Sequence, residues 1–427
     1  ILADGSTVVA ERVSFAPQPQ SAMTIIDQHT GYVKAIIGGR GTKTASLTLN
    51  RATDSTRQPG STFKIVSTYA AALNEKGMTL ATTYEDQPIT YDNGAPVNNA
   101  SGSFNGTTTI RTAIRNSVNT VAVQCFEDVT PELGLKYLDN FGFTTLAHGT
   151  EADTDANGNV YTDANLPTAL GGLTYGVKNV ELCAAYAAIA NGGNYIKPVY
   201  YTKILDHNGN VLIENNSVGR SVIKETTAYL LTSALEDVVQ NGTGTACQLD
   251  NMAVAGKTGT TDAYNDLWFV GYTPYYTCAV WSGYDGNQKI PEGDARNFHK
   301  TLWRKVMNRI HQGMEYKDFE VPDGIEQISI CADTGLLPRV GCPVTEEYFD
   351  VGTMPTEYCD QHFYEYDESQ DEDMEIYDVN ATPTPDPENP DGTDNTDGSG
   401  GDGTGGDGTG GDGTGGGDIQ YPDESGG

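Results

Sequence analysis

Three short clusters could together make a hydroxyl attack an acyl carbon: Ser61-Thr62-Phe63-Lys64, Ser117-Val118-Asn119 and Lys257-Thr258-Gly259, in that order along 427 residues. A serine hydroxyl is a weak nucleophile unless a neighbouring base takes its proton, and a lysine serves as that base only when burial or another cation lowers its pKa. Ser61 is then the expected nucleophile, Lys64 its base and Lys257 the nearby cation. Ser117 is expected to shuttle a proton, and Asn119 to hold Lys64 while offering its amide to a substrate peptide. The backbone N–H groups of Ser61 and Thr260 would form an oxyanion hole for acyl transfer. Lys257, with the hydroxyls of Thr258 and Thr260, would meet a substrate carboxylate, and Gly259 would let a ligand approach the strand backbone. The six histidines fall in none of these clusters, so nothing suggests a Ser-His-Asp arrangement.

Each cluster alone is weak, and the chain contains decoys for two of them: Ser221-Val222-Ile223-Lys224 and Ser103-Phe104-Asn105. Ser61 also reads as an ordinary helix cap, since it follows Pro59-Gly60 and serine is among the best N-cap residues. Context separates the candidates. Ser61 opens a long helical pattern that puts Lys64 one turn later on the same face, whereas Ser221 precedes its helix without such an entrance. Ser117-Val118-Asn119 is expected inside an amphipathic helix, and Ser103 in a polar loop.

Those residues need elements to hold them. Residues 22–38 read as a β-hairpin around Asp-Gln-His-Thr-Gly. Residues 107–126 and 177–191 carry apolar residues at helical spacing, and a third helix has Thr226 as its expected cap and Gly242 as its stop. The period then changes to three short β-rich runs, NMAVAGKTGTT, DLWFVGYTP and YYTCAVWSGYDG, most simply an antiparallel meander. Joined to the first hairpin they predict an α+β fold with a sheet of about five strands.

The net charge of −33 is concentrated: 19 of the 58 acidic residues, and no Lys or Arg, lie from Glu365 onward. That stretch turns Pro-rich and then repeats GGDGT, a composition that predicts a disordered tail over 365–427. Without a basic run, nucleic acid is not an expected partner. No stretch of about twenty apolar residues appears, so no membrane span is expected, nor a leader peptide. Residues 1–20 read as the remnant of a linker. Of seven cysteines, Cys125, Cys183, Cys247 and Cys278 sit among apolar neighbours as small hydrophobes. Cys331, Cys342 and Cys359 cluster over 313–364 with His362. A disulfide is the first reading of that group, with a structural zinc site or unpaired thiols as the others.

The ordered set S-x-x-K, S-x-N, K-T-G is that of the penicillin-recognising serine acyltransferases. With the flanks RQPGSTFK, ALGGLTYGV, NGTGTA, GKTGTT and VWSGYD, the chain resembles the transpeptidase domain of class A, bifunctional penicillin-binding proteins over 21–312. The resemblance implies a five-stranded antiparallel sheet flanked by helices, with a helical subdomain. It implies that Ser61 attacks the D-Ala-D-Ala bond of a peptidoglycan stem peptide, releases D-Ala, and passes the acyl group to an acceptor amine. β-Lactams would be trapped at the same serine, and no metal or organic cofactor is implied. The implied setting is the extracytoplasmic face of a bacterial plasma membrane, with attachment through a segment absent from this sequence. D,D-carboxypeptidase, β-lactamase and a non-catalytic β-lactam sensor are the rival readings.

Overall fold

Strands apolar on both faces must be covered on both sides, and residues Asp266–Tyr272 and Thr277–Gly283 are buried at every position. In the computed structural model, which describes residues 18–362 except 44 and 216, they form the middle of a five-stranded antiparallel sheet. Its strands are β1 (Gln20–Asp27), β2 (Tyr32–Ile37), β3 (Ala255–Thr260), β4 (Asp266–Tyr272) and β5 (Thr277–Gly283), in the order β3-β4-β5-β1-β2. Both expected groups, the N-terminal hairpin and the late meander, meet where β1 pairs β5 with Ile25 opposite Cys278.

The period of two along each strand sends alternate residues to opposite faces. Trp268, Val270, Tyr272, Ala279 and Trp281 enter the larger core with helix α5 (Asn179–Ala190). Phe269, Cys278 and Val280 enter a smaller one with Trp303 and Met307 of α7 (Phe298–Ile310). Between the two parts of the sheet lie α1 (Ala70–Glu75), α2 (Ile110–Asn116), α3 (Asn119–Val129), α4 (Pro131–Asn140) and α6 (Glu225–Asn241). The sheet flanked by helices is the expected α+β fold.

Three local expectations are corrected. Residues 107–126 do not form one helix. Gly106–Thr109 pairs as a strand with Thr83–Asp86, and the helical run that follows breaks at Ser117, which adopts the left-handed conformation with φ 58° and ψ 42°. β-Branched Thr107, Thr108 and Thr109 favour the strand, and the polar Asn116-Ser117 pair interrupts the apolar repeat. Ser117-Val118-Asn119 is therefore the joint between α2 and α3, not the interior of a helix. Ser61 is not a cap either: it lies inside a 3-10 turn, Gly60–Thr62, whose N-cap position is Pro59. A π-helical stretch, Lys64–Tyr69, follows before α1. Finally, α6 starts after Lys224, and Thr226 spends its hydroxyl on Asp350 Oδ2 at 2.8 Å; Gly242 does end the helix.

Beyond α7, strands β6 (Ile325–Cys331) and β7 (Val344–Asp350) pair as a hairpin. Its apolar centre is small: Ile330 and Phe349 pack on Ala81. Charge and rings dock it to the body. Glu347 takes a bidentate ion pair from Arg111 of α2, both bonds 2.6 Å, and Tyr348 meets Tyr229 of α6 edge-on at 5.4 Å. The expected disulfide is not formed, because all seven cysteines are free thiols; the four in the body are buried as expected. No helix among the described residues is long and apolar enough to cross a membrane. The expected linker remnant up to residue 17 and the acidic tail from 365 lie outside the described residues.

Candidate active site

Several unlike contacts fix the turn that carries Ser61. Arg57 donates through Nε to Asp266 Oδ1 at 2.7 Å and stacks over Trp281, whose indole N–H donates to the same carboxylate oxygen at 2.8 Å. Gln58 exchanges both amide bonds with the backbone of Leu173, and its carbonyl accepts from Trp268 Nε1. The turn then presses on β3, the edge strand of the sheet. A Cβ on Gly60, which has φ +54°, would lie 2.8 Å from the Thr260 carbonyl oxygen, and one on Gly259 would lie 2.5 Å from the Pro59 carbonyl oxygen. Only glycine at both positions lets the two backbones approach this closely. The approach brings Ser61, next to Gly60, beside Thr260, the two residues whose N–H groups are the expected oxyanion donors.

One turn on, Lys64 is fully buried, and its ammonium group has four oxygens in reach. It donates to Ser117 O at 2.7 Å, Asn119 Oδ1 at 2.6 Å, Val118 O at 3.2 Å and Ser117 Oγ at 3.3 Å. The break at Ser117 makes this possible: it turns backbone carbonyls and a hydroxyl from one joint toward the same nitrogen, which a continuous helix would have kept in its own ladder. Lys257 is buried as well and donates to Ser117 Oγ at 2.9 Å and to Thr258 O at 3.2 Å. The Ser117 hydroxyl is thus a bridge between two lysines.

Burial pulls the pKa of Lys64 well below the usual lysine value, and the nearby Lys257 charge pulls it in the same direction. Burial lowers Lys257 to about 7. The carbonyl acceptors around Lys64 oppose its shift by favouring the ammonium form, yet desolvation of two cations around one hydroxyl dominates. The two lysines expected near each other are therefore brought to one hydroxyl, and burial is the larger cause of both shifts.

Asn119 holds Lys64 as expected, but its amide is partly engaged: Nδ2 donates to Asn98 O at 2.6 Å. Lys257 faces Ser117 and not open solvent; of the two threonines expected beside it, Thr260 is exposed and Thr258 half-buried. Thr258 Oγ1 is 2.7 Å from Thr243 Oγ1 in the loop after α6. One decoy stays apart, with Ser221 on an exposed strand; the other lies in the loop beside the joint, where Ser103 Oγ donates to Ser101 Oγ and the Asn105 N–H donates to Asp86.

Sequence reasoning did not single out the groups that hold the joint. Asn99 Oδ1 accepts from the backbone N–H of Asn119 at 2.8 Å, and Asn99 Nδ2 donates to the buried Asp86. Asp86 also accepts from Thr120 Oγ1 and from the backbone N–H of Asn105. Asn99 and Asp86 lie in a stretch without periodicity, well before the joint they support, so only the folded chain brings them into view.

A family profile described as "Penicillin binding protein transpeptidase domain" matches residues 21–308, and "Penicillin-binding protein 1A, C-terminal domain" matches 321–364. The chain belongs to the penicillin-binding protein transpeptidase family. Penicillin-binding protein 1A of Clostridium tetani is 34% identical over 362 residues, which is 81% of this chain and 45% of that protein. Penicillin-binding protein 1A/1B of Bacillus subtilis is 29% identical and covers 83% of this chain and 39% of that protein. The chain thus spans less than half the length of these penicillin-binding proteins. Among solved structures, PonA1 of Mycobacterium tuberculosis in complex with penicillin V aligns at a TM-score of 0.62 and 26% identity, over 72% of this chain and 82% of that one. Penicillin-binding protein 1A of Haemophilus influenzae aligns at 0.67 over 80% of this chain and 54% of that one; at 24% identity it supports the fold alone.

Proposed function

We propose that this chain is a serine D,D-transpeptidase that cross-links peptidoglycan stem peptides through an acyl-enzyme on Ser61. The observation that carries the reading is the Ser117 hydroxyl held between two buried lysines, of which Lys64 lies one turn after Ser61. In the proposed reaction neutral Lys64 takes the Ser61 proton as Oγ attacks the carbonyl of the penultimate D-Ala. The Ser61 and Thr260 N–H groups receive the oxyanion, where preorganised donors act without reorganisation. Collapse breaks the peptide bond, and the departing amine of the terminal D-Ala takes a proton relayed from Lys64 through Ser117. An acceptor amine then attacks the ester, loses its proton back along the same relay, and frees Ser61.

A β-lactam enters by the same attack, but its amine stays tethered after the ring opens, so the adduct persists. Thr258 and Thr260 hydroxyls, with the Lys257 charge behind them, suit the carboxylate of either ligand. The proposed place of action is the extracytoplasmic face of a bacterial plasma membrane.

Labelled penicillin is expected to attach covalently to the peptide containing Ser61, and a Ser61→Ala chain to remain unlabelled; label on another residue would overturn the reading. With a stem pentapeptide and an amine acceptor, D-Ala release with a cross-linked product marks a transpeptidase. Release into water alone marks a carboxypeptidase, and labelling without release marks a sensor.

A further inference from the structure

At the far end of the described chain, four donor groups from separate stretches converge. Cys331 ends β6, and Cys342 closes a turn in which the Arg339 N–H donates to its sulfur at 3.2 Å. Cys359 follows a parallel bridge between Leu337 and Tyr358, and its N–H donates to Leu337 O at 2.8 Å. His362 lies three residues beyond. One ligand atom from each lies within 4.8 Å of the others. His362 Nδ1 is 3.5 Å from Cys331 Sγ and 3.3 Å from Cys359 Sγ. Four ligands around a tetrahedral Zn²⁺, with Zn–S near 2.3 Å and Zn–N near 2.0–2.1 Å, stand about 3.5–3.8 Å apart. The two imidazole–sulfur distances are already close to that spacing, and all four atoms lie within 4.8 Å of one another.

Two further observations point to a metal. The other ring nitrogen, His362 Nε2, lies 3.2 Å from Asp333 Oδ2. That carboxylate fixes the imidazole with Nδ1 toward the sulfurs, the outer-shell partner that metal-bound histidines almost always have. The segment also needs a clip: β6 and β7 bury only Ile330 and Phe349 in their shared apolar centre, and segments this small are held by disulfides or metals. A disulfide would use two sulfurs and leave the third facing an imidazole, whereas a metal uses all four groups.

We propose that Cys331, Cys342, Cys359 and His362 form a structural Zn²⁺ site that clips the chain after β7 to the end of β6. Three thiolates and one imidazole are a soft set suited to tetrahedral Zn²⁺, and four protein ligands leave no open position for catalysis.

The full chain, purified under reducing conditions without chelator, is expected to carry about one zinc per chain by elemental analysis. Replacing it with Co²⁺ should give thiolate-to-metal charge-transfer bands and the strong visible absorption of a tetrahedral centre. Cys342→Ser should lose both while Ser61 still labels with penicillin. Asp333→Asn should weaken Zn²⁺ binding on the order of 10- to 100-fold. The proposal is overturned by a metal-free chain after refolding with excess Zn²⁺, by iron in place of zinc, by a weak octahedral Co²⁺ spectrum, or by alkylation of two fewer thiols than the seven of the sequence in the denatured, unreduced chain.

Discussion

At the joint between α2 and α3, two lysines are buried around one hydroxyl, with no carboxylate among the described residues paired to either; at the end of β6, three thiols and an imidazole gather beside a carboxylate, near the surface. Both places bring together groups that ordinary folding keeps apart. The first sits within the main body of the fold, packed among its helices, and there the loss of solvation lowers the pKa of both amines. The second sits where the chain has almost no apolar centre, and its groups are arranged to be held fast. Reactive polar clusters belong where packing is strong enough to enforce an unfavourable state, and structural ones where packing is weakest.

This contrast can be broken most directly at Lys64. Lys64→Ala should lower the rate of penicillin acylation about 10³- to 10⁴-fold, at the upper end of what a positioned base contributes, as followed by stopped-flow or labelled gel assay; a near-normal rate would remove Lys64 from the chemistry. Next comes Ser117→Gly, which keeps the left-handed joint accessible while deleting the hydroxyl. It should slow acylation about 10²-fold, and Ser117→Ala should be worse because alanine resists φ near 58°. Equal rates for the two would mean that the joint's backbone strain plays no part.

Lys257→Ala tests the pairing of cations. Its charge lowers the Lys64 pKa, so removing it raises that pKa, and the acidic limb of the acylation profile should move to higher pH. A profile with an unmoved limb would leave burial as the sole cause. The smallest effect on acylation is expected from Arg111→Ala, which should instead strand the buried Glu347 carboxylate and lower unfolding free energy by about 3 kcal/mol, measured by denaturant titration. If it slows labelling as much as Ser117→Gly does, the C-terminal hairpin is part of the catalytic centre and the contrast between the two regions fails.

The sheet was legible because its signals are local: β-rich runs in β4 and β5, a turn in the first hairpin, and a change of period after α6. The triple cluster was legible in its residue types but not in the geometry that makes it work. Helical spacing carried residues 107–126 past Ser117, and nothing in a periodicity reading registers a left-handed residue whose polar atoms are all needed elsewhere. Arg57 and Gln58 stood within a recognised flank, yet their partners Asp266, Trp281 and Leu173 are far off in the chain, 209 residues away for Asp266 and 115 for Leu173. The terminal cysteines were seen as a group, and their bonding stayed open because it depends on where separate chain segments cross.

Helix α2 has a hand on each region. It is gripped by Glu347 at Arg111, in its first turn, and ends at Ser117, roughly 9 Å further along its axis at 1.5 Å per residue. A rod that short hardly bends, so wherever the hairpin holds Arg111, the bridging hydroxyl is carried with it. The C-terminal segment thus moors one end of the joint from a distance, without meeting either buried lysine.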